Sequence, residues 1–416
     1  MFFLVFHIIR YYYYCYCKIN IFFLYRNYKS FFKKKRPEIR KEIIMDFICE
    51  KYLLLVAILT ASHAAAPKSP VQVLEGLLIE AGDESVKISG YDLKTGIVTM
   101  IPAEIESTGG VVLNAKLFSE IIRKAPGQYV KISVNSGFVA KISSELSEYE
   151  ILGFSPADYP ELPIVDEGYS IEISEALLKK MISQTGFAVS DNESRPIQTG
   201  ALFETGGGEL TIVAVDGFRL ALRREPLEDS SAQALSFVVP GTALDELSKI
   251  ISDGDGVVSI TLGTKYIMFT LGDTMLVSRR LEGEFLNYKN TIPLSSKYQL
   301  KVEKDELISA LERVSIVLSD KIKGPIRAQF CDGIIKMTAA SALGKASDEC
   351  IMAGDAEELE MGFNDKYMIE VLKAVPADEI NLKLSSSITP CIISPVDESN
   401  RFLYMILPVR LRAYES

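Results

Sequence analysis

From Phe47 to Leu411 the hydrophobic and polar positions follow one pattern three times over. Each copy opens on a short alternating stretch that passes into a run with apolar residues at helical spacing: FICEKYLLLVAIL from Phe47, IEISEALLKKMI from Ile171 and LKVEKDELISAL from Leu300. The triples Phe47/Leu54/Ile58, Ile171/Leu178/Ile182 and Leu300/Leu307/Leu311 share one spacing, as one buried face per copy requires. Proline-led alternating segments follow at Pro70, Pro196 and Pro325, at intervals of 126 and 129 residues. Alternation broken by glycine-rich turns reads as hairpins. A second helical run comes next, AKLFSEIIRKAP, GTALDELSKIIS and DKYMIEVLKAVP, with apolar sets Phe118/Ile121/Ile122, Leu247/Ile250/Ile251 and Met368/Val371/Leu372. A last hairpin closes each copy: VKISVNSGFVAKISS, VVSITLGTKYIMFTL and INLKLSSSITPCIIS. The pattern predicts three copies of one α+β domain, each with two helices and about eight strands, over residues 45–167, 168–294 and 295–416.

The repeat also reassigns the start of the chain. Residues 1–44 are aromatic and basic, with 7 of the 19 tyrosines, ten Lys+Arg and two Asp+Glu. Arg10, Lys18 and Arg26 interrupt them before an apolar run of ~18 residues accumulates, and no positive charge precedes the first apolar stretch, as an export signal needs. A second candidate signal, DFICEKYLLLVAILTASHAAAP after Met45, has Asp46 and Glu50 on its flank. The repeat reads residues 47 to 59 instead as the first helix of the first copy. Residues 1–44 fall outside every copy and read as an extension upstream of a natural start at Met45. A membrane-anchored or exported β-rich binding protein is the competing reading, and it rests entirely on residues 1–66.

Composition narrows the chemistry. Histidine occurs only at 7 and 63, and the six cysteines form no CxxC pair, which disfavours imidazole catalysis, zinc sites and a disulfide framework. No GxGxxG, GxxxxGK[ST], GxSxG or HExxH is present, so no cofactor, metal or catalytic residue is assigned and the chain reads as a non-enzyme. Residues 45–416 hold 35 Lys+Arg against 53 Asp+Glu, a charge of −18. That balance disfavours a protein that coats nucleic acid, while leaving room for positive charge gathered on one concave face.

The stretch IVAVDGFRLAL, residues 212–222, carries the most specific signal. Asp216-Gly217 between apolar runs is a hairpin turn by its chemistry. In its longer context VDGFRLAL resembles the TDGHRLA segment in the second domain of the bacterial β sliding clamp family, the β subunit of DNA polymerase III. GEFLNYKNTIP (283–293) is similar to that family's GRFPDYRRVLP, MGFNDKYMIEVL (361–372) to its GFNxxYLxDVL helix, and FLYMILPVRL (402–411) to its near-terminal YxxMPMRL. Four matches in the family's order lie on a threefold repeat that spans Met45 to Leu411.

The resemblance implies a head-to-tail homodimer closed into a ring around double-stranded DNA, with helices lining the hole and sheets forming the rim. It implies no sequence preference and no membrane, a cytoplasmic, nucleoid-associated protein, and short linear motifs of the replicative polymerase, clamp loader, translesion polymerases and repair proteins as partners. Carried over by motif, their pocket comprises Val215, Gly217, Phe218, Arg219, Leu220, Leu286, Asn364, Tyr367, Ile388, Pro390, Met405, Leu407, Pro408, Val409, Arg410 and Leu411. Asp216 stays a turn residue, and Arg219 either contacts ligand or packs its stem in the rim. Phe218, Val215 and Leu286 stand where the family has histidine, threonine and proline, which makes this pocket more apolar. The tail RAYES extends past the family's usual end at Leu411, and GTAL (241–244) lacks a basic pair that some relatives carry. DNA-facing candidates are Lys68, Lys116, Arg123, Lys179, Lys180, Asn192, Arg195, Lys249 and Lys373, and the subunit contact is Tyr149 and Ile151 against Ile316 and Val317.

Overall fold

The structure, a computed structural model, describes residues 42–411 apart from 167, 228–232, 319–323, 355 and 398–400. Most of the upstream extension and the RAYES tail lie outside the described residues. The first domain runs β1 (Ile43–Glu50), α1 (Lys51–Ser62), β2 (Gly76–Ala81), β3 (Ser85–Tyr91), β4 (Thr95–Pro102), β5 (Glu104–Ser107), β6 (Gly109–Asn114), α2 (Ala115–Lys124), β7 (Tyr129–Asn135), β8 (Val139–Ser144) and β9 (Ser147–Leu152). The second runs β10 (Tyr169–Ser174), α3 (Glu175–Ser183), β11 (Gly200–Gly206), β12 (Glu209–Val215), β13 (Arg219–Pro226), β14 (Leu235–Pro240), α4 (Gly241–Ile250), β15 (Val257–Leu262), β16 (Tyr266–Leu271) and β17 (Thr274–Arg279). The third runs β18 (Tyr298–Glu303), α5 (Lys304–Ser315), β19 (Ile326–Cys331), β20 (Ile334–Ser341), β21 (Gly344–Ala353), β22 (Leu359–Phe363), α6 (Asp365–Ala374), β23 (Glu379–Leu384), β24 (Cys391–Pro395) and β25 (Phe402–Ile406).

The repeat survives in three dimensions because its apolar positions face inward. All nine residues of the first-helix triples are buried, and of the second-helix sets only Ile250 is half-buried. Local capping starts several helices where strands end. The side chains of Asn114, Ser174 and Asn364 accept the N–H groups of Leu117, Leu177 and Tyr367, satisfying donors that a helix start leaves unpaired.

Two boundaries differ from the sequence reading. Residues 47–50 are strand, and the helix starts at Lys51, because Phe47 to Glu50 pair with Ile132 to Tyr129 of β7. Glu50 makes no side-chain cap, so that start carries no local signal. The fold also begins before Met45: Ile43 pairs with Asn135, and Ser136 donates its N–H to the Glu42 carbonyl at 2.9 Å.

Sheets run across the domain joints. In the eight-stranded sheet, β17 of domain two pairs with β4 of domain one, and the Thr99 and Thr274 hydroxyls meet at 2.9 Å. In the twelve-stranded sheet, β13 of domain two pairs with β25 of domain three from Arg219↔Ile406 to Arg223↔Phe402. Each joint thus joins the fourth strand of one domain copy to the last strand of the next. This buries edges that would otherwise stay open.

Candidate functional site

The joint between β13 and β25 builds an apolar floor. Along β13 successive side chains point to opposite faces. Leu220 and Leu222 face one cluster, with Val215, Val213, Leu202, Val238, Tyr288, Ile392 and Met405, while Ala221 belongs to the main core on the other face. Val215, Leu220 and Met405 are all buried. Of the other pocket candidates, Phe218, Leu286, Ile388, Leu407 and Val409 are exposed, by 37 to 76%. Pro390, Pro408 and Leu411 are half-buried, and Gly217 and Arg410 are exposed.

Backbone contacts hold several of these residues in place. Asp216 caps its own turn: its Oδ1 accepts from the N–H groups of Phe218 at 2.9 Å and Arg219 at 3.0 Å. Gly217 has φ +91°, a left-handed conformation that glycine adopts without a Cβ clash. Leu407 donates its N–H to the Phe218 carbonyl, and Val409 to that of Gly362, both at 2.8 Å. A Cβ at Gly362 would sit 2.4 Å from the Val409 carbonyl oxygen, so only glycine lets the exit from β25 lie this close. Residues 407–411 therefore bridge the domain-two turn and the start of α6, where Asn364 is spent on capping and Tyr367 is half-buried.

Arg219 points away from the floor. Its Nε donates to Asp216 Oδ2 at 2.8 Å, one Nη to the Phe187 carbonyl at 2.7 Å and the other to Glu370. Its guanidinium lies 4.5 Å from the Tyr367 ring centre and 5.2 Å from that of Phe187. The residue is 8% exposed, so its charge ties domain two to α6 of domain three. A cleft of about 1180 Å³ opens on this side of the turn, lined among others by Phe187, Asn192, Asp245, Arg280 and Glu370. Sequence reading missed Tyr288, Ile392, Phe187 and Glu370. The alternation of β24 could have suggested Ile392, whereas nothing local points to Phe187 or Glu370.

Burial also decides what the thiols can do: Cys49, Cys350 and Cys391 are each pushed up to about 12 by desolvation, which keeps them protonated and unreactive at neutral pH.

Comparison with known proteins fixes the family. Domain models of the DNA polymerase III beta subunit match in order: the N-terminal domain over residues 45–163, the central domain over 172–287 and the C-terminal domain over 289–410. The chain belongs to the DNA polymerase III beta subunit family. It is a DNA sliding clamp. The beta sliding clamp of Halalkalibacterium halodurans is 33% identical over 380 residues, covering 88% of this chain and 100% of that one. That of Staphylococcus epidermidis is 32% identical over 378 residues, with the same coverages. Among solved structures, the Bacillus subtilis clamp superposes with a TM-score of 0.84 at 31% identity, over 88% of this chain and 100% of that chain. A Bartonella birtlesii clamp bound to griselimycin gives 0.83 at 26% identity, with the same coverages.

On this clamp fold the nine DNA-facing candidates do not form one class. Lys68, Lys116, Arg123, Lys180, Asn192, Arg195, Lys249 and Lys373 are exposed and Lys179 is half-buried. Four are engaged by neighbouring carboxylates: Lys179 with Asp253 at 2.8 Å, Lys249 with Glu246 at 2.9 Å, Lys373 with Glu312 at 2.8 Å, and Arg123 with Glu120. Asn192 lies on the cleft, and Arg195 Nη1 lies 3.6 Å from where a Gly217 Cβ would be, which puts both beside the pocket turn.

Of the subunit-contact candidates, Tyr149 and Ile151 sit on β9 and pack half-buried on the first-domain core. Ile316, just past α5, is 77% exposed, and Val317 is half-buried, with its carbonyl accepting the Ser341 hydroxyl at 2.6 Å. No described helix is long and apolar enough to cross a membrane.

Proposed function

We propose that two copies close head to tail into a ring around duplex DNA, and that the ring catalyses nothing itself. The pairing of sheet edges carries this reading. β4 and β13 are each matched by the last strand of the following domain, β17 and β25. By the same repeat, the fourth strand of domain three, β21, and the last strand of domain one, β9, are left over. Among the described residues β9 pairs only with β8, and β21 pairs with β20 along its length but with β18 only at Met352 and Ala353. Both carry a bare apolar side chain, Leu152 at 76% and Ile351 at 69% exposure. An exposed strand edge invites another strand, and a contact between two different surfaces closes a ring when the rotation allows. In this reading Tyr149, Ile151, Ile316 and Val317 flank the joint between subunits.

The Val215–Leu220–Met405 floor, with Leu286, Ile388 and Leu407 beside it, then docks short linear motifs of the replicative polymerase, clamp loader, translesion polymerases and repair proteins. Apolar anchors entering a preformed cleft, with few polar groups setting register, suit that task. Lys68, Lys116 and Lys180, exposed on or beside the helices, supply mobile attraction to phosphate, and the protein works in the cytoplasm at the nucleoid. Topological holding predicts a specific behaviour. Ring loaded on nicked circular DNA stays bound through gel filtration and slides off once the same DNA is cut. A conventional binder leaves circles and linear DNA alike, at a rate set by salt. Equal loss from the two forms would overturn this reading.

A further inference from the structure

The Phe218 side chain is exposed on a backbone that is held on both sides. The holds are the Asp216 carboxylate at its N–H and Leu407 at its carbonyl. The residue is 58% exposed and belongs to no core cluster. Its ring stacks on Tyr367, with centres 5.8 Å apart and planes 25° apart. Tyr367, in contrast, is anchored: its N–H is capped by Asn364, and the Arg219 guanidinium lies over its ring. The stack thus joins the turn of domain two to the first turn of α6 in domain three, and both residues line the cleft that opens beside Arg219.

We propose that the Phe218 ring is a cover over Tyr367 that swings aside to admit partner peptides, so that Phe218 governs how fast this clamp takes them up. The proposal rests on the peptide-docking reading above. An aromatic pair of this geometry favours the closed position roughly two- to tenfold, and an exposed ring turns over within nanoseconds. The closed state therefore lowers the competent fraction without blocking entry. A cover acts on association, because only the open fraction can be entered. A wall of the bound site acts on dissociation.

Rate constants separate the two. The probe is griselimycin, the ligand on a related clamp, measured by surface plasmon resonance on the full chain, on Phe218→Ala and on Phe218→Tyr. A cover predicts that Phe218→Ala raises the association rate about three- to tenfold with dissociation changed less than about twofold. Phe218→Tyr keeps the stack and stays at the wild-type rate. Faster dissociation at unchanged association, or no change in either, overturns the proposal by making the ring a contact or a bystander. Absence of binding to the unaltered chain would instead remove the docking reading beneath it.

Discussion

Leu407 donates its backbone N–H to the carbonyl of Phe218 at 2.8 Å, joining the exit of the last strand of domain three to the turn of domain two. The bond ties residues of two domains together across a joint that no local sequence signal marks.

Leu407 is 38% exposed whereas Met405 beside it is 7% exposed, so the two separate binding from folding. Leu407→Ser removes an exposed anchor at little cost to the core and lowers griselimycin affinity by roughly 5- to 30-fold. Met405→Ser opens the floor and lowers stability as well, by about 2 to 4 kcal/mol. Titration calorimetry and urea unfolding read the two effects apart. Unchanged affinity in Leu407→Ser would place the pocket elsewhere.

Arg219→Met strands the Asp216 carboxylate against an apolar partner and leaves the Phe187 carbonyl without its donor. Loss of one member of a buried pair costs about 3 to 5 kcal/mol. Since Glu370 is 49% exposed, solvent recovers part of this, and a drop of about 2 to 3 kcal/mol is expected. Arg219→Lys keeps the charge but not the fork, so it recovers less than half. Urea denaturation of both variants tests the order.

A charge at Ile316 tests the subunit contact. Ile316→Asp lies outside the core, at 77% exposure, so the single chain still folds. Burying that carboxylate between subunits is costly, and native mass spectrometry should show monomer at concentrations where the unaltered chain is dimeric. A variant as dimeric as its parent would move the contact away from Ile316.

Asp166 ties the linker between domains one and two to the β15–β16 turn, accepting from the Thr264 N–H at 2.9 Å and its hydroxyl at 2.5 Å. Those bonds to Thr264 hold its carboxyl below the usual carboxylate range. A depressed folded pKa means that the tie is fully present above the unfolded pKa and is lost as pH falls through the folded one. Asp166→Asn should therefore speed amide hydrogen exchange at Thr264 at pH 7, and the difference from the parent should shrink as pH falls below ~4. A difference independent of pH would show that the carboxylate charge is irrelevant.

Truncation locates the start of the fold. A chain beginning at Glu42 should unfold at the midpoint of the full chain. Beginning at Met45 removes the Ile43–Asn135 pairing and the Glu42 carbonyl that Ser136 uses, and should cost about 1 kcal/mol. Equal midpoints for both would return the boundary to Met45.

By itself the sequence determined whatever depends on neighbours along the chain: the three domains and two helices in each, from the triples such as Ile171/Leu178/Ile182, the Asp216-Gly217 turn, and the pocket strands on either side of it. Periodicity reports these because one buried face recurs with the period of its own element. Tertiary structure decided what depends on partners far away. Helix α1 starts at Lys51 because β1 is claimed by β7, some 80 residues on. Arg219 turns from the pocket because Glu370, 151 residues later, and Phe187 stand on the other face of its strand. Phe218 became a ring over Tyr367 only when α6 arrived beside the turn. Two residues on opposite sides of a domain joint leave no shared period in the chain, and only the closing of the sheet between β13 and β25 brings them together.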